Sequence, residues 1–142
     1  MKILILCTAN SCRSQMAAAF LKSFAPELEV FSAGTNPAAQ VHPLAIAVMK
    51  EAMIDLSGIK PQNVANYLDQ HFDFVIAVCG DAAENCPIFS GKVKERLHIG
   101  FDDPAKATGS AADILQEFRR VRDEIKNEFF LFYKNQIRLK KE

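Results

Sequence analysis

The sequence has no excess of basic residues, since 17 lysines and arginines balance 17 aspartates and glutamates over 142 residues. It also has no basic stripe interleaved with aromatic side chains, the pattern that is typical of nucleic-acid-binding surfaces. The short tail RLKKE is typical of a solvated helix end. We therefore expect no nucleic-acid partner.

Long apolar runs are absent as well. The opening MKILILC contains four consecutive aliphatic residues, far fewer than the roughly 7 to 15 that the apolar part of a secretory signal needs. We therefore expect a cytoplasmic protein with no membrane association. Thiols in that compartment stay reduced, so the four cysteines pose a question of reactivity or metal binding before one of disulfide stapling.

The sequence also lacks the residue spacing that is typical of metal sites. The cysteines form two pairs with four and six intervening residues, instead of the two-residue spacing of zinc knuckles; the pairs are Cys7 with Cys12 and Cys79 with Cys86. The histidines show no ligand spacing to them; they are His42, His71 and His98. We expect no metal site and no cofactor.

What the sequence does contain is an alternation of branched apolar runs and helical patterns. The runs KILILC, LEVFSAG, FDFVIAVC and RLHIGF predict strands. Apolar residues recur with helical spacing at about 13–24, 44–53, 64–70 and 110–133. Together these patterns predict an α/β fold, a single domain over residues 1–142 with a four-stranded parallel twisted sheet and helices on both faces. No internal repeat, low-complexity tract or second domain is visible.

Several chemically active side chains follow the predicted strand ends. Cys7 and Cys79 end two of the apolar runs, and Asp102 and Asp103 follow the fourth in GFDDP. Ligands of such sheets lie beyond the carboxyl ends of the strands. We therefore expect these groups to share one rim of the sheet.

The loop after the first predicted strand has the composition of an anion cradle. Its small polar residues allow backbone N–H groups to converge next to a helix N-terminus, and Arg13 can hold two oxygens of a tetrahedral anion. The same groups should lower the pKa of Cys7 from about 8.5 into the range of roughly 3.5 to 7.5, which makes Cys7 a nucleophile beneath a bound oxyanion. The alternative is a buried structural thiol. The predicted oxyanion-binding residues are Thr8, Ala9, Asn10, Ser11, Cys12, Arg13 and Ser14.

Three of these loop residues have more specific expectations. Asn10 is expected to hold the loop through side-chain to backbone bonds, and Ser14 to donate a hydroxyl hydrogen bond to the thiolate. Cys12 is interpreted as a small thiol that fills the loop.

The motif CTANSCRS, with DDP some ninety residues later, resembles the low-molecular-weight protein tyrosine phosphatase family over essentially the whole chain. The phosphatases of that family usually carry tyrosines after the aspartate-proline pair, where this chain has DPAKATGS. The thioredoxin-coupled arsenate reductases of the same superfamily carry two further cysteines after the third strand. The segment VCGDAAENCP provides them as Cys79 and Cys86, and GFDDPA is also similar to that branch.

This resemblance implies a reaction and an order of thiol steps. Cys7 attacks arsenate, Cys79 then forms a disulfide with Cys7, and Cys86 finally leaves a disulfide between Cys79 and Cys86. Asp103, directly before the proline, is implied as the general acid, although the tandem aspartates could simply cap a turn. The implied reductant is thioredoxin, with glutaredoxin plus glutathione as the alternative.

Two other functions remain open at this point. One is a phosphatase that hydrolyses phosphotyrosine or small phosphate esters. The other is a non-catalytic oxyanion-binding or thiol-redox sensor module, against which the complete set of Cys7, Arg13 and Asp103 argues.

The sequence also departs from the family pattern. Ala9 stands where related loops usually have glycine, and a positive φ there would cost about 1 to 2 kcal/mol. Some reductases of this branch bind potassium through an asparagine, a glutamate, a serine and an aspartate. Asn10 and Ser32 match, but Ala18 stands in the glutamate position, so we expect no potassium site. We further expect residues 80–90 to be the most conformationally variable segment.

Overall fold

The computed structural model describes residues 1–80 and 88–138. The strands are β1 (Lys2–Cys7), β2 (Glu29–Gly34), β3 (His71–Ala77) and β4 (Lys92–His98). The α-helices are α1 (Arg13–Phe24), α2 (Pro43–Glu51) and α3 (Ala111–Phe132). Short 3-10 helices span Val64–Tyr67 and Pro104–Lys106, and a π-helical segment Tyr133–Arg138 continues α3.

The strands form a parallel sheet in the order β2-β1-β3-β4. β1 lies between two neighbours, so that Ile5 pairs with Ser32 on one side and with Ile76 on the other. An apolar run without alternation suits this position, because both faces of the strand are covered. The predicted α/β fold with a four-stranded parallel sheet is confirmed.

Apolar side chains pack on both faces of the sheet. The larger cluster joins Ile3 and Ile5 of β1 to residues of all three α-helices. The smaller cluster contains Leu4 and Leu6 and is covered in part by the 3-10 helix Val64–Tyr67. This packing fixes β1, and therefore the position of Cys7 at its carboxyl end.

α3 begins and packs as its sequence predicts. Ser110 caps it in a capping box with Asp113. Its buried residues repeat every three or four positions and enter the larger cluster; they are Phe118, Val121, Ile125, Phe129 and Phe132.

Several strand boundaries differ from the sequence prediction, most of all in β3 and β4. β3 ends at Ala77 instead of Cys79, and β4 spans Lys92–His98 instead of residues 96–101. β4 is an edge strand, most of whose residues are exposed. Charged side chains on an edge strand discourage pairing with other chains. In this chain they also interrupt the apolar run, so the first residues of β4 do not match the pattern that predicts a strand.

No helix within residues 1–80 and 88–138 is long and apolar enough to span a membrane.

Candidate active site

The segment between β1 and α1 forms a loop whose carbonyl groups turn outward. Three of these carbonyls accept hydrogen bonds from backbone N–H groups of residues 36–42. The pairs are Asn36 to Thr8 (3.0 Å), Ala38 to Ala9 (2.9 Å) and His42 to Ser11 (3.0 Å). Because N–H and C=O point in opposite directions in a trans peptide, the N–H groups of the same three peptides point away from residues 36–42, toward the inside of the loop. In the preceding peptide, the N–H of Thr8 donates to the sulfur of Cys7.

Asn10 holds this loop from within. Its side chain is fully buried, donates to the hydroxyl of Ser14 at 2.8 Å and accepts from the backbone N–H of Gln62 at 2.9 Å. The side-chain amide of Gln15 donates to both oxygens of Asn10, each at 3.0 Å. Asn10 therefore supports the loop through a side-chain to backbone bond, as the sequence predicts.

The left-handed backbone position of the loop lies at Asn10, whose φ is 52°. Among the residues described, Ala9 has no positive φ. The strain that the alanine-for-glycine difference would cause at that position is therefore absent. Asparagine is one of the few residues other than glycine that adopts this conformation readily.

Sequence reasoning missed three residues that support the loop: Gln15, Gln62 and Gly34. The N–H of Gly34 donates to the carbonyl of Gln62 at 2.9 Å. A Cβ at Gly34 would lie 2.2 Å from the carbonyl oxygen of Thr8. The signal in the sequence was the glycine that closes the second apolar run, but a contact with Thr8 cannot be inferred from it.

Cys7 and Cys79 are in direct contact at the carboxyl edge of the sheet. Both are buried, and their side chains are hydrogen-bonded to each other. This bond, the guanidinium of Arg13 and the N–H of Thr8 lower the pKa of Cys7 from 9.0 to about 7, although burial opposes the shift. A large fraction of Cys7 is therefore thiolate near neutral pH.

Arg13 connects the loop to the segment after β4. It is 4% exposed and donates from Nη1 to the carbonyl of Phe101 at 3.0 Å. Its Nη2 lies 3.6 Å from Oδ2 of Asp103. Asp103 also caps the 3-10 helix Pro104–Lys106 through a bond from the N–H of Ala105 at 3.0 Å. The two neighbouring aspartates therefore have different partners, because the carboxylate of Asp102 forms an ion pair with Arg120 at 3.0 Å.

The remaining loop side chains have less direct roles. Cys12 is buried at the N-cap position of α1, and burial raises its pKa to about 12. This agrees with a loop-filling thiol. The hydroxyl of Ser14 accepts a hydrogen bond from the side-chain amide of Asn10, and the hydrogen bonds that lower the pKa of Cys7 come from Cys79 and Thr8 and not from Ser14 as predicted.

The structure thus brings Cys7, Arg13, Cys79 and Asp103 together at one rim of the sheet. Cys86 lies outside the described residues, as does most of the segment 80–90 that was expected to vary. Within the described part of the chain, no group of three His, Cys, Asp or Glu side chains has the geometry of a metal site.

The profile of the family described as low molecular weight phosphotyrosine protein phosphatase matches residues 2–142. The chain belongs to this family. The resemblance indicated by CTANSCRS and DDP is therefore confirmed.

Within the low molecular weight phosphotyrosine protein phosphatase family, the chain is similar to proteins named arsenate reductase. One from Shouchella clausii is 48% identical over 124 residues, which cover 87% of this chain and 88% of that protein. One from Bacillus subtilis is 44% identical over 126 residues, covering 88% and 89%. A solved structure of an arsenate reductase in the phosphate binding state has a TM-score of 0.76 at 32% identity, covering 92% of this chain and 95% of that one.

Proposed function

We propose that this member of the low molecular weight phosphotyrosine protein phosphatase family is an enzyme that reduces arsenate to arsenite. The observation that carries the proposal is the contact between the thiols of Cys7 and Cys79 beside the loop that joins β1 to α1. Hydrolysis of a phosphate ester needs a nucleophile, an anion clamp and an acid, but it has no use for a second thiol against the first. Reduction of arsenic requires that thiol.

In the first proposed step, the loop binds arsenate and Cys7 attacks it. The inward N–H groups and Arg13 hold the oxygens, and a thiolate is available because the pKa of Cys7 is lowered to about 7. A sulfur–arsenic bond forms and one oxygen leaves as water. Asp103 is the proposed proton donor to that oxygen, since it lies beside Arg13 whereas Asp102 does not.

In the second step, the thiolate of Cys79 attacks the sulfur of Cys7. The new sulfur–sulfur bond replaces the sulfur–arsenic bond, whose electron pair stays on arsenic and reduces it from the +5 to the +3 state. Arsenite leaves and the two cysteines have supplied two electrons. Phosphate has no comparable path, so this step separates two anions that the loop alone distinguishes poorly.

In the third step, Cys86 attacks Cys79, frees Cys7 and leaves a disulfide between Cys79 and Cys86. A dithiol protein then reduces that disulfide, and thioredoxin is the proposed partner. Glutaredoxin with glutathione is the alternative reductant. We place this cycle in the cytoplasm, where resting thiols stay reduced.

A single turnover without added reductant tests the proposal. The pre-reduced protein should release about one arsenite per chain, because its own thiols supply both electrons. Cys79→Ser should release none, yet phosphate should still protect its Cys7 from alkylation. Phosphate-ester hydrolysis measured alongside should be equal in both proteins. Arsenite release by Cys79→Ser, or ester hydrolysis without any arsenite release by the unmodified protein, would contradict the assignment.

A further inference from the structure

The backbone around Cys79 is held by the chain that leaves β4. After β3 ends at Ala77, the carbonyl of Ala77 accepts from the N–H of Ile99 at 3.0 Å, and the carbonyl of Val78 accepts from the N–H of Phe101 at 3.3 Å. The carbonyl of Cys79 is bonded by a side chain instead, because Nε2 of His98 lies 2.7 Å from it. A carbonyl oxygen only accepts hydrogen bonds, so Nε2 of His98 carries the proton.

The close approach of these two segments depends on Gly100. A Cβ there would lie 2.7 Å from the carbonyl oxygen of Cys79 and 3.1 Å from Nε2 of His98. One residue further on, the carbonyl of Phe101 accepts from Arg13. Residues 98–101 therefore contact the backbone of one thiol residue and the arginine that acts on the other.

We propose that His98 is a positioning residue for the second thiol of the reaction. Cys79 lies beyond the last residue of β3, so the sheet does not fix its backbone. The hydrogen bond from His98 to the carbonyl of Cys79 holds that backbone so that the sulfur of Cys79 stays in contact with the sulfur of Cys7. The two sulfurs must come to bonding distance with the Cα atoms about 4.4 to 6.8 Å apart, and a hydrogen bond to the carbonyl of Cys79 itself restricts the backbone conformations that would move its thiol away. This inference rests on one part of the proposed function, namely that Cys79 forms a disulfide with Cys7.

His98 is an exposed residue, and its bond to Cys79 is partly buried. Its replacement therefore removes little apolar packing, and the variants should fold. Glutamine places its amide nitrogen about where Nε2 of histidine lies and can donate to the same carbonyl. Asparagine, one carbon shorter, cannot reach it. Comparing the glutamine and asparagine variants therefore measures the effect of the hydrogen bond, because the two side chains are similar in size and polarity.

A disulfide reagent with a coloured leaving group, 5,5′-dithiobis(2-nitrobenzoate), tests the proposal in a Cys86→Ser background. Cys7 first attacks the reagent and releases one coloured thiolate, at a rate proportional to reagent concentration. Cys79 then attacks the sulfur of Cys7, the mixed disulfide breaks, and a second coloured thiolate leaves with the bonding electron pair. This second phase is first order and independent of reagent concentration.

We expect His98→Asn to slow the second phase by roughly five- to tenfold, the factor that one net hydrogen bond supplies, and to leave the first phase unchanged. His98→Gln should stay within about threefold of the parent. His71→Asn, at the exposed start of β3, is the matched control and should change neither phase.

A second phase of equal rate in His98→Asn and the parent would overturn the proposal, as would a His98→Gln variant as slow as His98→Asn. The absence of a second phase in the parent itself would instead refute the pairing of Cys7 with Cys79, and with it the proposed thiol order. Because arsenate is not used, failure of arsenate reduction in a separate assay would leave this result standing.

Discussion

At the scale of single residues, Cys7 and Cys12 are close in sequence and equally buried but differ in the hydrogen bonds that their sulfur atoms accept. The pKa of Cys7 is lowered to about 7 by its hydrogen bond to Cys79 and by Arg13. The pKa of Cys12 is raised to about 12, mainly by burial. Burial disfavours both thiolates and Arg13 favours both, so the difference arises from the hydrogen bonds that Cys7 accepts from Cys79 and from the N–H of Thr8.

This difference predicts a pH profile for alkylation. Because a lowered pKa favours the thiolate, the rate at which iodoacetamide modifies Cys7 should rise to half its plateau at about pH 7. Below that pH it should fall by about tenfold per unit. Cys12 should stay unmodified through pH 9. Mass spectrometry of each site checks both statements, and phosphate should slow only the Cys7 reaction. Modification of Cys12 before Cys7 at pH 6 would contradict the assigned nucleophile.

The sequence could predict the positions of residues that lie within the loop between β1 and α1. Cys7 and Arg13 flank small polar residues between a strand and a helix, so their positions at the two ends of the loop follow from the local sequence. The bond from Gln62 to Asn10 crosses 52 positions of sequence, and the separation of Asp102 from Asp103 depends on Arg120 of α3. Such contacts exist only after the elements have packed, and no local pattern encodes them.

At the scale of elements, the end of β2 supports the loop between β1 and α1 because Gly34 has no side chain. The Cβ of Gly34→Ala would lie 2.2 Å from the carbonyl oxygen of Thr8 and 3.1 Å from the N of Asn10, so the loop backbone must shift. We expect phosphate to protect Cys7 at least tenfold less well and stability to fall by about 1 to 3 kcal/mol. Equilibrium unfolding and phosphate-dependent alkylation measure these effects.

Gly58→Ala is the control for this substitution. Gly58 has a φ of 83° and open space around its Cβ position, so alanine there adds backbone strain without touching the loop. It should lower stability by about 1 kcal/mol and leave phosphate protection intact. Equal loss of protection in both variants would show that Gly34 acts through general destabilisation.

The end of α2 carries a different kind of strain. The N–H of Ile54 donates to the carbonyl of Met49 at 2.9 Å, and that of Met53 to Lys50 at 3.0 Å. This is a Schellman motif, in which glycine usually takes the left-handed position. Here Met53 takes it, with a φ of 65°. The predicted helix 44–53 is therefore too long at its C-terminal end, because a methionine gives no sequence signal for a helix stop.

Glycine should be the better residue at this position. The side chain of Met53 is 92% exposed, so Met53→Gly loses almost no packing and relieves a left-handed non-glycine residue. We expect the free energy of unfolding to rise by about 0.5 to 1 kcal/mol, seen as a higher urea midpoint with unchanged slope. Met53→Ala keeps its Cβ and should change little. A midpoint for Met53→Gly no higher than that of Met53→Ala would contradict the strain.

At the scale of the whole molecule, the parallel order β2-β1-β3-β4 brings together groups that are far apart in sequence. β1 and β3 are neighbours, so the residues that follow them, with Cys7 and Cys79, meet at one edge. β4 lies beside β3 and returns the chain to Arg13. The general rule that ligand sites lie at the carboxyl ends of parallel strands therefore predicted that these residues share one edge of the sheet. The hydrogen-bonded contact of the two sulfurs depends on how residues 98–101 pack, and the strand rule does not specify it.

The burial of this thiol pair bears on how the enzyme would be restored. Cys7 and Cys79 are 4% and 0% exposed, so we expect a disulfide between them to be inaccessible to a reductant protein, and we propose that Cys86 carries the oxidising equivalents outward. Cys86→Ser should still release about one arsenite per chain in a single turnover. With thioredoxin, its steady-state rate should fall by roughly a hundredfold or more, since thiol exchange requires access to a sulfur.

The proposed relay predicts that residues 80–90 rearrange between the reduced and the oxidised enzyme. Hydrogen exchange in the unmodified protein should show weaker protection of this segment after oxidation, and Cys86→Ser, which cannot form the second disulfide, should not show the change. The matched control is Cys12→Ser, whose thiol takes no part in the relay and which should behave like the unmodified protein in both measurements. Normal turnover of Cys86→Ser with thioredoxin, or identical protection of residues 80–90 in both redox states, would mean that the buried disulfide is reduced directly and that the third thiol is not part of the mechanism.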